Sequence, residues 1–440
     1  MASQAVFQKY RGALKDADLN TCSGSIERVI GPIIESAGPA SIIGDVCRIR
    51  PSKGGKSIRA EVVGFRDNKK LLMPFGELAG IGPGSIVEST GKPFMVPVGM
   101  SLIGRTLDGI GQPIDGLGPV AEDDFYSVQG QASNPLYRPR INQPISLGVR
   151  ALDGLLTCGR GQRIGIFAGS GVGKSTLLGM IARNSDADVN VIALVGERGR
   201  EVRDFIEKDL REEGMKRSVL IAATSDRPAM VRLKCAMVAT AVAEYFRDQG
   251  MAVMLMMDSL TRFAMSQREI GIATGEPPVS RGYTPSIFSM LPKLLERSGN
   301  FEKGSITGIY TVLVEGDDMN EPISDTVRGI LDGHIVLSRA LAVKNHYPAI
   351  SVLGSVSRLM PDIAESDHLG LANNMRSLMA TYENYSDLIT LGAYKKGSNA
   401  EVDKAIAYHE PIARFLQQTF NESFTVAQTV EMMKETLAER

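Results

Sequence analysis

Three successive patterns of apolar and polar positions divide the chain, after a short first segment. Residues 1–20 place apolar side chains on one helical face, which predicts a short amphipathic helix. A lone helix of this length is marginal in water. It is therefore expected either as a fraying surface helix or as an arm that docks on a partner protein. Residues 21–95 are short apolar runs separated by glycine, proline and charged turns, a pattern typical of a small all-β domain.

Longer apolar runs begin after residue 96 and alternate with amphipathic stretches of helical length. The predicted strands are 163–168, 189–195, 219–223, 252–257, 306–313 and 335–338, and the predicted helices are 175–184, 201–214 and 229–249. This alternation is typical of a mainly parallel α/β sheet. The glycine- and proline-rich segment 104–119 predicts ordered turns rather than a strand. Because strand signals fade after residue 362, the sequence predicts an α/β domain over 96–362 and a small helical domain over 363–440.

Composition and charge narrow the classes of function. The 440 residues include 49 basic and 50 acidic side chains, so the formal net charge is -1. This balance argues against a protein that binds nucleic acid over a broad surface. The 4 cysteines and 4 histidines are scattered without metal-ligand spacing, which predicts neither a zinc site nor a disulfide framework. No apolar leader and no apolar stretch near the roughly 18 to 20 residues of a membrane span is found, so a cytoplasmic protein is expected.

A glycine-rich loop carries the strongest local signal for chemistry. The run AGSGVGKS at 168–175 follows a predicted strand and precedes a predicted helix, which is the context that a phosphate-binding loop requires. Its glycines let backbone N–H groups face a β-phosphate, its lysine adds charge at the β- and γ-phosphates, and its serine hydroxyl ligates Mg²⁺. The predicted nucleotide contacts are Gly169, Ser170, Gly171, Val172, Gly173, Lys174, Ser175 and Thr176. Ala168 replaces the usual first glycine of the motif, a departure that costs little because a small residue suffices there.

Two carboxylates follow other predicted strands of the same sheet. Asp258 comes directly after the strand 252–257 and is expected either to hold the hydration shell of the metal or to cap the next helix. Glu197 follows the strand 189–195 and is expected either to polarise the attacking water or to begin a solvated helix. Both lie at strand ends, where side chains can face the phosphate loop.

Several longer motifs resemble a known family. The order of AGSGVGKS, GERGRE, MMDSLTRFA and GSVSR, preceded by GRTLDGIGQPID, is similar to that in the catalytic subunits of rotary ATP synthases and their relatives. The segments 268–299 and 314–339 more closely resemble the type III export ATPases of the bacterial flagellum and of the injectisome. LTRFAMSQREIG, at 260–271, is more similar to the flagellar branch. The resemblance extends from residue 21 to the carboxyl end.

This resemblance implies a fold and a catalytic centre. The implied fold is a six-stranded β-barrel, a RecA-like nucleotide-binding domain and a helical carboxyl-terminal domain, in agreement with the three patterns. By resemblance Glu197 is the general base and Asp258 is the acid at the metal. Arg358, in GSVSR, resembles the arginine finger that reaches the γ-phosphate of a neighbouring subunit. Lys174, Glu197 and Arg358 are thus the expected catalytic residues, with Ser175 and Asp258 at the metal.

Further residues take expected roles from the same resemblance. Tyr347 resembles the aromatic residue that stacks on adenine, and Phe424 is the candidate for the opposite wall. Arg198 and Arg262 either support the catalytic centre or form structural ion pairs. Ser351 occupies a position that is usually aspartate in the segment leading to the finger, so the hydrogen bonding there is expected to differ.

The resemblance also implies an assembly. One chain that carries both the catalytic glutamate and the arginine finger can build complete sites between identical subunits, and the family expectation is a homohexameric ring. ATP and Mg²⁺ are the expected substrate and cofactor. The expected partners are a stator-like negative regulator at the amino-terminal helix, a stalk protein in the ring, export chaperones and the secretion gate. The predicted function is ATP hydrolysis that energises export of unfolded flagellar proteins at the cytoplasmic face of the membrane.

Four other functions are weighed against this one. An injectisome ATPase is the nearest alternative and shares most of the motifs. A subunit of a rotary ATP synthase or ion pump is disfavoured by the segments ERSG and VEGDDMNEPISD. A regulatory subunit that binds but does not hydrolyse ATP is disfavoured by the intact Lys174 and Glu197. A nucleic-acid motor is disfavoured by the neutral charge and by the lack of an aromatic and basic strand platform in the β-rich domain.

Overall fold

The computed structural model describes residues 22–438, except residues 53, 131–132, 315 and 317. The helix predicted for residues 1–20 lies outside these described residues. Contacts divide the chain into two compact units, one that extends to Phe94 and one that begins at Met95. Within the described part, no helix combines the length and the apolar composition that crossing a membrane requires.

Six strands of the first unit close into an antiparallel barrel. They are β1 (Ser23–Ile30), β2 (Ile33–Ala37), β3 (Asp45–Arg50), β4 (Ile58–Arg66), β5 (Lys69–Pro74) and β6 (Ile86–Pro93). Their order is β1-β2-β5-β4-β3-β6, and β1 pairs with β6 to close the ring. Because side chains alternate between the two faces of a strand, Ile26, Ile49 and Val87 point inward and are at most 2% exposed. The predicted six-stranded barrel is confirmed.

A mainly parallel sheet forms the centre of the second unit. The strands of this unit are β7 (Met95–Val98), β8 (Thr106–Asp108), β9 (Asp124–Ser127), β10 (Pro144–Ile145), β11 (Cys158–Gly159), β12 (Arg163–Ala168), β13 (Val189–Glu197), β14 (Ser218–Thr224), β15 (Ala252–Asp258), β16 (Gly299–Asn300), β17 (Ser305–Leu313), β18 (Gly333–Leu337) and β19 (Ile350–Ser357). The large sheet has the order β19-β18-β12-β17-β15-β13-β14-β8. Its pairs are parallel except that β19 runs against β18 and the short β16 runs against β17. The strands β7 and β9 pair separately, as do β10 and β11.

Burial explains why these strands could be predicted. The central strands β13, β15 and β17 are mainly apolar and are buried almost throughout, as expected where helices cover both faces of a parallel sheet. The prediction of turns alone for 104–119 was wrong at one point. Residues 106–108 form β8, which pairs with β14 at the edge of the sheet. A strand of three residues between glycine-rich turns has no periodicity of its own, and only its neighbour defines it.

Helices flank the sheet and form the last part of the chain. They are α1 (Arg150–Leu155), α2 (Lys174–Asn184), α3 (Gly199–Asp204), α4 (Arg211–Met215), α5 (Ala229–Asp248), α6 (Leu260–Thr274), α7 (Pro285–Leu295), α8 (Pro322–Ile330), α9 (Arg339–Val343), α10 (Met360–Ile363), α11 (Ser366–Thr390), α12 (Ala400–Leu416) and α13 (Val426–Ala438), with a π-helical turn at Phe205–Leu210 and 3-10 turns at Met100–Leu102 and Pro135–Tyr137. The helix predicted over 201–214 is thus divided into three segments. Arg211 has a φ of 59°, which a continuous α-helix cannot contain.

The carboxyl-terminal helices share a core with the sheet. Helix α11 packs on α12, and α13 packs on both of them and on α1. Leu152 of α1, Phe415 of α12 and Met433 of α13 belong to the same buried apolar cluster as Ile166 of β12. The predicted α-helical segment is confirmed, and it forms one compact unit with the α/β segment.

Candidate active site

The phosphate loop lies between the central strand β12 and helix α2. β12 is flanked by parallel neighbours on both sides, so the loop at its carboxyl end has a fixed position in the sheet. Gly171 and Gly173 have φ values of 79° and 92°, in the left-handed region that favours glycine. The first turn of α2 has no side-chain cap. Its backbone N–H groups are therefore available to an anion, as in other phosphate loops.

Lys174 joins the phosphate loop to the two predicted carboxylates. Its Nζ atom donates a hydrogen bond to Asp258 Oδ1 and lies 4.0 Å from Glu197 Oε1. All three side chains are mostly buried, with exposures of 12%, 5% and 13% for the lysine, the aspartate and the glutamate. The strand order therefore brings together three groups that the sequence placed at three separate strand ends.

Asp258 is the last residue of β15 and does not cap the helix that follows. The cap of α6 is Ser259, whose hydroxyl accepts a hydrogen bond from the backbone N–H of Arg262 at 3.3 Å. Asp258 therefore does not accept the capping hydrogen bond. Its Oδ1 atom instead accepts a hydrogen bond from the Thr311 hydroxyl of β17 at 2.8 Å, in addition to the bond from Lys174. The sequence does not predict this role of Thr311, because a threonine within a buried strand has no distinctive local signal.

Glu197 ends β13 and lies outside the following helix, whose N-cap position is occupied by Arg198. Its Oε1 atom is buried and has no hydrogen-bond partner among the described residues. Burial, followed by the nearby negative charge of Asp258, raises the pKa of Glu197 to about 7, although the positive charge of Lys174 acts in the opposite direction. A carboxylate with a pKa near the working pH is suited to accept a proton from water.

Two arginines near Glu197 differ in their surroundings. The side chain of Arg198 is 78% exposed and lies 3.6 Å from Glu201 in an ion pair within its own helix. Arg262 packs against Gly196, and its buried Nε atom has no hydrogen-bond partner in the described part of the chain. Arg262 is therefore the better placed of the two to meet a ligand at the phosphate loop.

A cavity of about 800 Å³ opens beside the phosphate loop. Tyr347 lines it, and the edge of its ring lies 3.5 Å from the position that a Cβ atom on Gly173 would occupy. The aromatic residue of the carboxyl-terminal segment that lines this cavity is Phe420, whereas Phe424 is not among the described lining residues. The ring of Phe424 lies 4.7 Å from the guanidinium carbon of Arg150. The sequence does not indicate Phe420 as the lining residue, because both phenylalanines lie in a loop without periodicity.

Arg358 follows the edge strand β19, at the end of the sheet opposite to the end where the phosphate loop lies. Because β19 runs against β18, Ser357 near its end pairs with Gly333 at the start of β18. β18 runs parallel to β12. The end of β19 therefore lies on the side where β18 and β12 begin, whereas the phosphate loop follows the end of β12. The backbone N–H of Arg358 donates to Asp332 O at 3.0 Å, and its exposed guanidinium donates to Arg328 O at 3.4 Å. The structure therefore does not bring Arg358 to the phosphate loop of its own chain.

The segment that leads to Arg358 has its own hydrogen bonds despite the unusual Ser351. The hydroxyl of Ser351 accepts from the N–H of Gly354 at 3.3 Å, and its carbonyl accepts from the Ser355 hydroxyl at 2.6 Å. The short hydroxyl side chain of Ser351 therefore accepts a hydrogen bond that holds this turn.

Comparisons with known proteins show what this chain is similar to. The "Flagellum-specific ATP synthase" of Bacillus subtilis is 58% identical over 414 residues, which are 92% of this chain and 93% of the relative. The "Type 3 secretion system ATPase" of Xanthomonas euvesicatoria is 52% identical over 93% of both proteins. The solved structure of the assembled ATPase EscN, from the type III secretion system of enteropathogenic E. coli, has a TM-score of 0.89 at 48% identity and covers 94% of this chain.

Family models match three parts of the chain. Residues 148–357 match the nucleotide-binding domain of the ATP synthase alpha/beta family, and residues 26–91 match its beta-barrel domain. The chain belongs to the ATP synthase α/β family. Residues 364–435 match the T3SS EscN ATPase C-terminal domain, which places the chain with the flagellar and type III secretion ATPases of this family. The predicted resemblance and the predicted ATPase activity are both confirmed.

The pH dependence of this ATPase should follow the ionisation of Glu197. Because its pKa is raised to about 7, the fraction of the ionised base falls as the pH drops below that value. We expect kcat/KM, which reports the free enzyme, to fall about tenfold per pH unit below pH 7 and to level off above it. Initial rates at constant ionic strength would measure this.

The control for this profile is nucleotide binding by Glu197→Gln, which lacks the titrating carboxylate. Its affinity for MgATP between about pH 5.5 and 8.5 separates the ionisation of the nucleotide from that of Glu197. A kcat/KM profile that remains flat through pH 7, after this correction, would contradict the role of Glu197 as a base.

Proposed function

We propose that the protein hydrolyses ATP to energise the export of unfolded flagellar proteins. The observation that carries this proposal is the cluster of Lys174, Asp258 and Glu197 at the phosphate loop, in a chain that is 58% identical to a flagellum-specific relative. An injectisome role is the second candidate, because a type III secretion relative is 52% identical over a similar length.

The residues present fit a magnesium ion that is bound with the nucleotide. Ser175 lies in the first turn of α2, and Asp258 offers a carboxylate whose orientation is set by Thr311 at 2.8 Å. One hydroxyl and one carboxylate oxygen are the protein donors that Mg²⁺ usually takes, together with phosphate and water oxygens. When bound, the metal would neutralise charge on the β- and γ-phosphates. We therefore assign its protein contacts to these two residues.

The other residues of the site are proposed to have separate roles in hydrolysis. The Nζ group of Lys174, which donates to Asp258 in this structure, is proposed to turn to the β- and γ-phosphates when nucleotide binds. Glu197 is proposed to take the proton of the attacking water, because its Oε1 atom is buried and has no hydrogen-bond partner in the described chain. Backbone N–H groups of residues 169–175 are proposed to surround the β-phosphate.

The base of the nucleotide is assigned to the cavity beside the loop. Tyr347 and Phe420 supply aromatic surface there, and they are 41% and 44% exposed in the described chain. Stacking on such surfaces holds a planar base. Phe424, the sequence-based candidate for the second wall, remains a proposed contact only if its loop moves from the position beside Arg150.

The complete site is proposed to form between two subunits of a homohexamer. Arg358 is exposed after the edge strand β19, at the end of the sheet opposite to its own phosphate loop, so it is available to a neighbouring subunit. EscN, the structural relative, has been solved as an assembled ATPase and in complex with its central stalk EscO. We propose the same kind of ring for this chain, with a stalk protein inside it.

The remaining partners follow from the proposed export function. They are a stator-like negative regulator at residues 1–20, export chaperones and the secretion gate. Contact with the gate would place the ring at the inner face of the cell membrane as a peripheral protein.

Affinity purification from a flagellated host tests this function. We expect the full chain to copurify with a stator-like regulator, a stalk protein and components of the flagellar gate. The matched control is a chain that lacks residues 1–18, which should keep its ATPase activity and lose the regulator, because those residues carry the amphipathic face. Titration with the purified regulator would measure the loss directly.

Two results would contradict the proposal. Copurification with injectisome components in place of flagellar ones would favour the second candidate. Equal affinity of the full and shortened chains for the regulator would show that residues 1–18 are not the docking arm.

A further inference from the structure

The segment 417–424 forms one side of the cavity assigned to the base, and it is held by contacts from other parts of the fold. The N–H of Gln418 donates to Tyr347 O at 2.9 Å, which joins the two aromatic sides of the cavity through the backbone. Arg183 of α2 donates to Phe420 O at 2.7 Å. The main chain of this segment is therefore fixed, while the orientation of the Phe420 ring depends on its side-chain neighbours.

Arg211 is the side-chain neighbour of that ring. Its guanidinium carbon lies 4.8 Å from the centroid of Phe420, within the range of a cation–π contact. Its Nη1 atom donates to Asn421 Oδ1 at 3.0 Å and its Nε atom donates to Lys208 O at 3.1 Å. Two hydrogen bonds in different directions fix the plane of the guanidinium over the ring.

The backbone at Arg211 is strained. Its φ and ψ angles are 59° and 178°, a combination that is essentially limited to glycine because a Cβ atom crowds the backbone there. An arginine at such a position costs folding free energy. Nothing in the local turn requires an arginine, so the contacts of its side chain are the feature that distinguishes it from glycine.

The guanidinium and the cavity lie against the same ring. Phe420 lines the cavity, whereas Arg211 is not among the described residues that line it. Arg211 therefore covers a part of the ring that is turned away from the cavity, and the part that lines the cavity remains available to a base.

We propose that Arg211 is a positioning residue for the nucleotide base: it holds the Phe420 ring in the orientation that stacks on the base and so sets the preference of the site for ATP over a triphosphate without a base. This inference rests on the proposed assignment of the cavity to the base. Arg211 does not touch the nucleotide, and its effect passes through Phe420.

Arg211→Gly tests this role, because glycine removes the side chain and also relieves the backbone strain. In the full chain we expect the dissociation constant for MgATP to rise about threefold to tenfold, the range that a partly exposed cation–π contact can supply. The dissociation constant for magnesium tripolyphosphate, which has no base, should not change. The melting temperature should stay the same or rise, which a merely structural role for the side chain would not predict.

Four further variants sharpen the result. Arg211→Lys keeps the charge without the planar group and should lose part of the preference for ATP. Phe420→Ala should lose at least as much as Arg211→Gly, and the double variant should lose no more than Phe420→Ala alone, since both act through one ring. Arg203→Ala removes a 79% exposed arginine that pairs with Glu207 in the same helical region, and it should leave the preference unchanged.

The outcomes separate this inference from the proposed base pocket. If the unmodified protein binds ATP no more tightly than tripolyphosphate, the base pocket itself is wrong and the role of Arg211 falls with it. If the unmodified protein prefers ATP and Arg211→Gly keeps that preference, only the role of Arg211 is overturned. Equal losses for both ligands, or a lower melting temperature, would likewise overturn it in favour of a structural role.

Discussion

Arg358→Ala should bind MgATP with nearly unchanged affinity and hydrolyse it about 10³- to 10⁵-fold more slowly, the range that an arginine finger contributes. The physical reason is the position of Arg358 after the edge strand β19, at the end of the sheet opposite to its own phosphate loop. If its guanidinium stabilises charge on a transferring phosphoryl group, it must do so in a neighbouring subunit. Turnover by purified rings, together with direct nucleotide titration, would measure both quantities.

Mixed rings test this shared site more sharply. An interface with Glu197 from an Arg358→Ala subunit and Arg358 from a Glu197→Gln subunit is intact. In equal mixtures that assemble at random, about one quarter of the interfaces are of this kind. Activity should therefore reappear when the two inactive proteins exchange subunits, up to about a quarter of the normal rate if the sites act independently.

The matched control replaces one partner with the double variant that carries both substitutions. Neither single variant can form an intact interface with it, so no activity should return. If exchange into mixed rings is demonstrated and the two single variants still show no activity, independent sites completed by a neighbour are contradicted. Verified monomers that are as active as rings would also contradict the shared site.

Glu197→Gln should retain MgATP binding and lose about 10²- to 10⁴-fold in kcat, the usual contribution of a general base. The amide has nearly the same shape as the carboxylate but cannot accept the proton of the attacking water. The buried Oε1 atom of Glu197 has no hydrogen-bond partner among the described residues, so the substitution breaks no hydrogen bond of that atom. Single-turnover hydrolysis and nucleotide titration would separate chemistry from binding.

Glu207→Gln is the matched control for this prediction. Glu207 is 54% exposed and pairs with Arg203 on the surface of the same region, so its replacement should leave turnover unchanged. Hydrolysis by Glu197→Gln within a few-fold of the normal rate would show that Glu197 has a structural role only.

The sequence by itself determined the fold class and the phosphate loop. Buried parallel strands are mainly apolar, and the apolar positions of amphipathic helices recur about every 3.6 residues. Both patterns can therefore be recognised from residues that are neighbours in the sequence. The loop at 168–175 is likewise local, because its strand, glycines, lysine and helix follow one another directly. The predicted strands at 163–168 and 252–257 correspond to β12 (Arg163–Ala168) and β15 (Ala252–Asp258).

Only the tertiary structure decided how the strand ends combine. The sequence left Asp258 either to hold the hydration shell of the metal or to cap the next helix, and the structure assigns the cap to Ser259. The raised pKa of Glu197 arises from burial and from the nearby charge of Asp258. These two residues are 61 positions apart in the chain. No pattern within one segment encodes such a distance, because it depends on the order of the strands in the sheet.

The lining of the base cavity and the position of Arg358 also depend on contacts between distant segments. Phe420 and Phe424 are both aromatic residues of one loop, and packing against Arg211 and Arg150 decides where each ring lies. The separation of Arg358 from its own phosphate loop follows from the antiparallel pairing of β19 with β18. Local sequence specifies the conformation of each segment, whereas contacts between distant segments depend on the path of the whole chain, and that path is settled by packing.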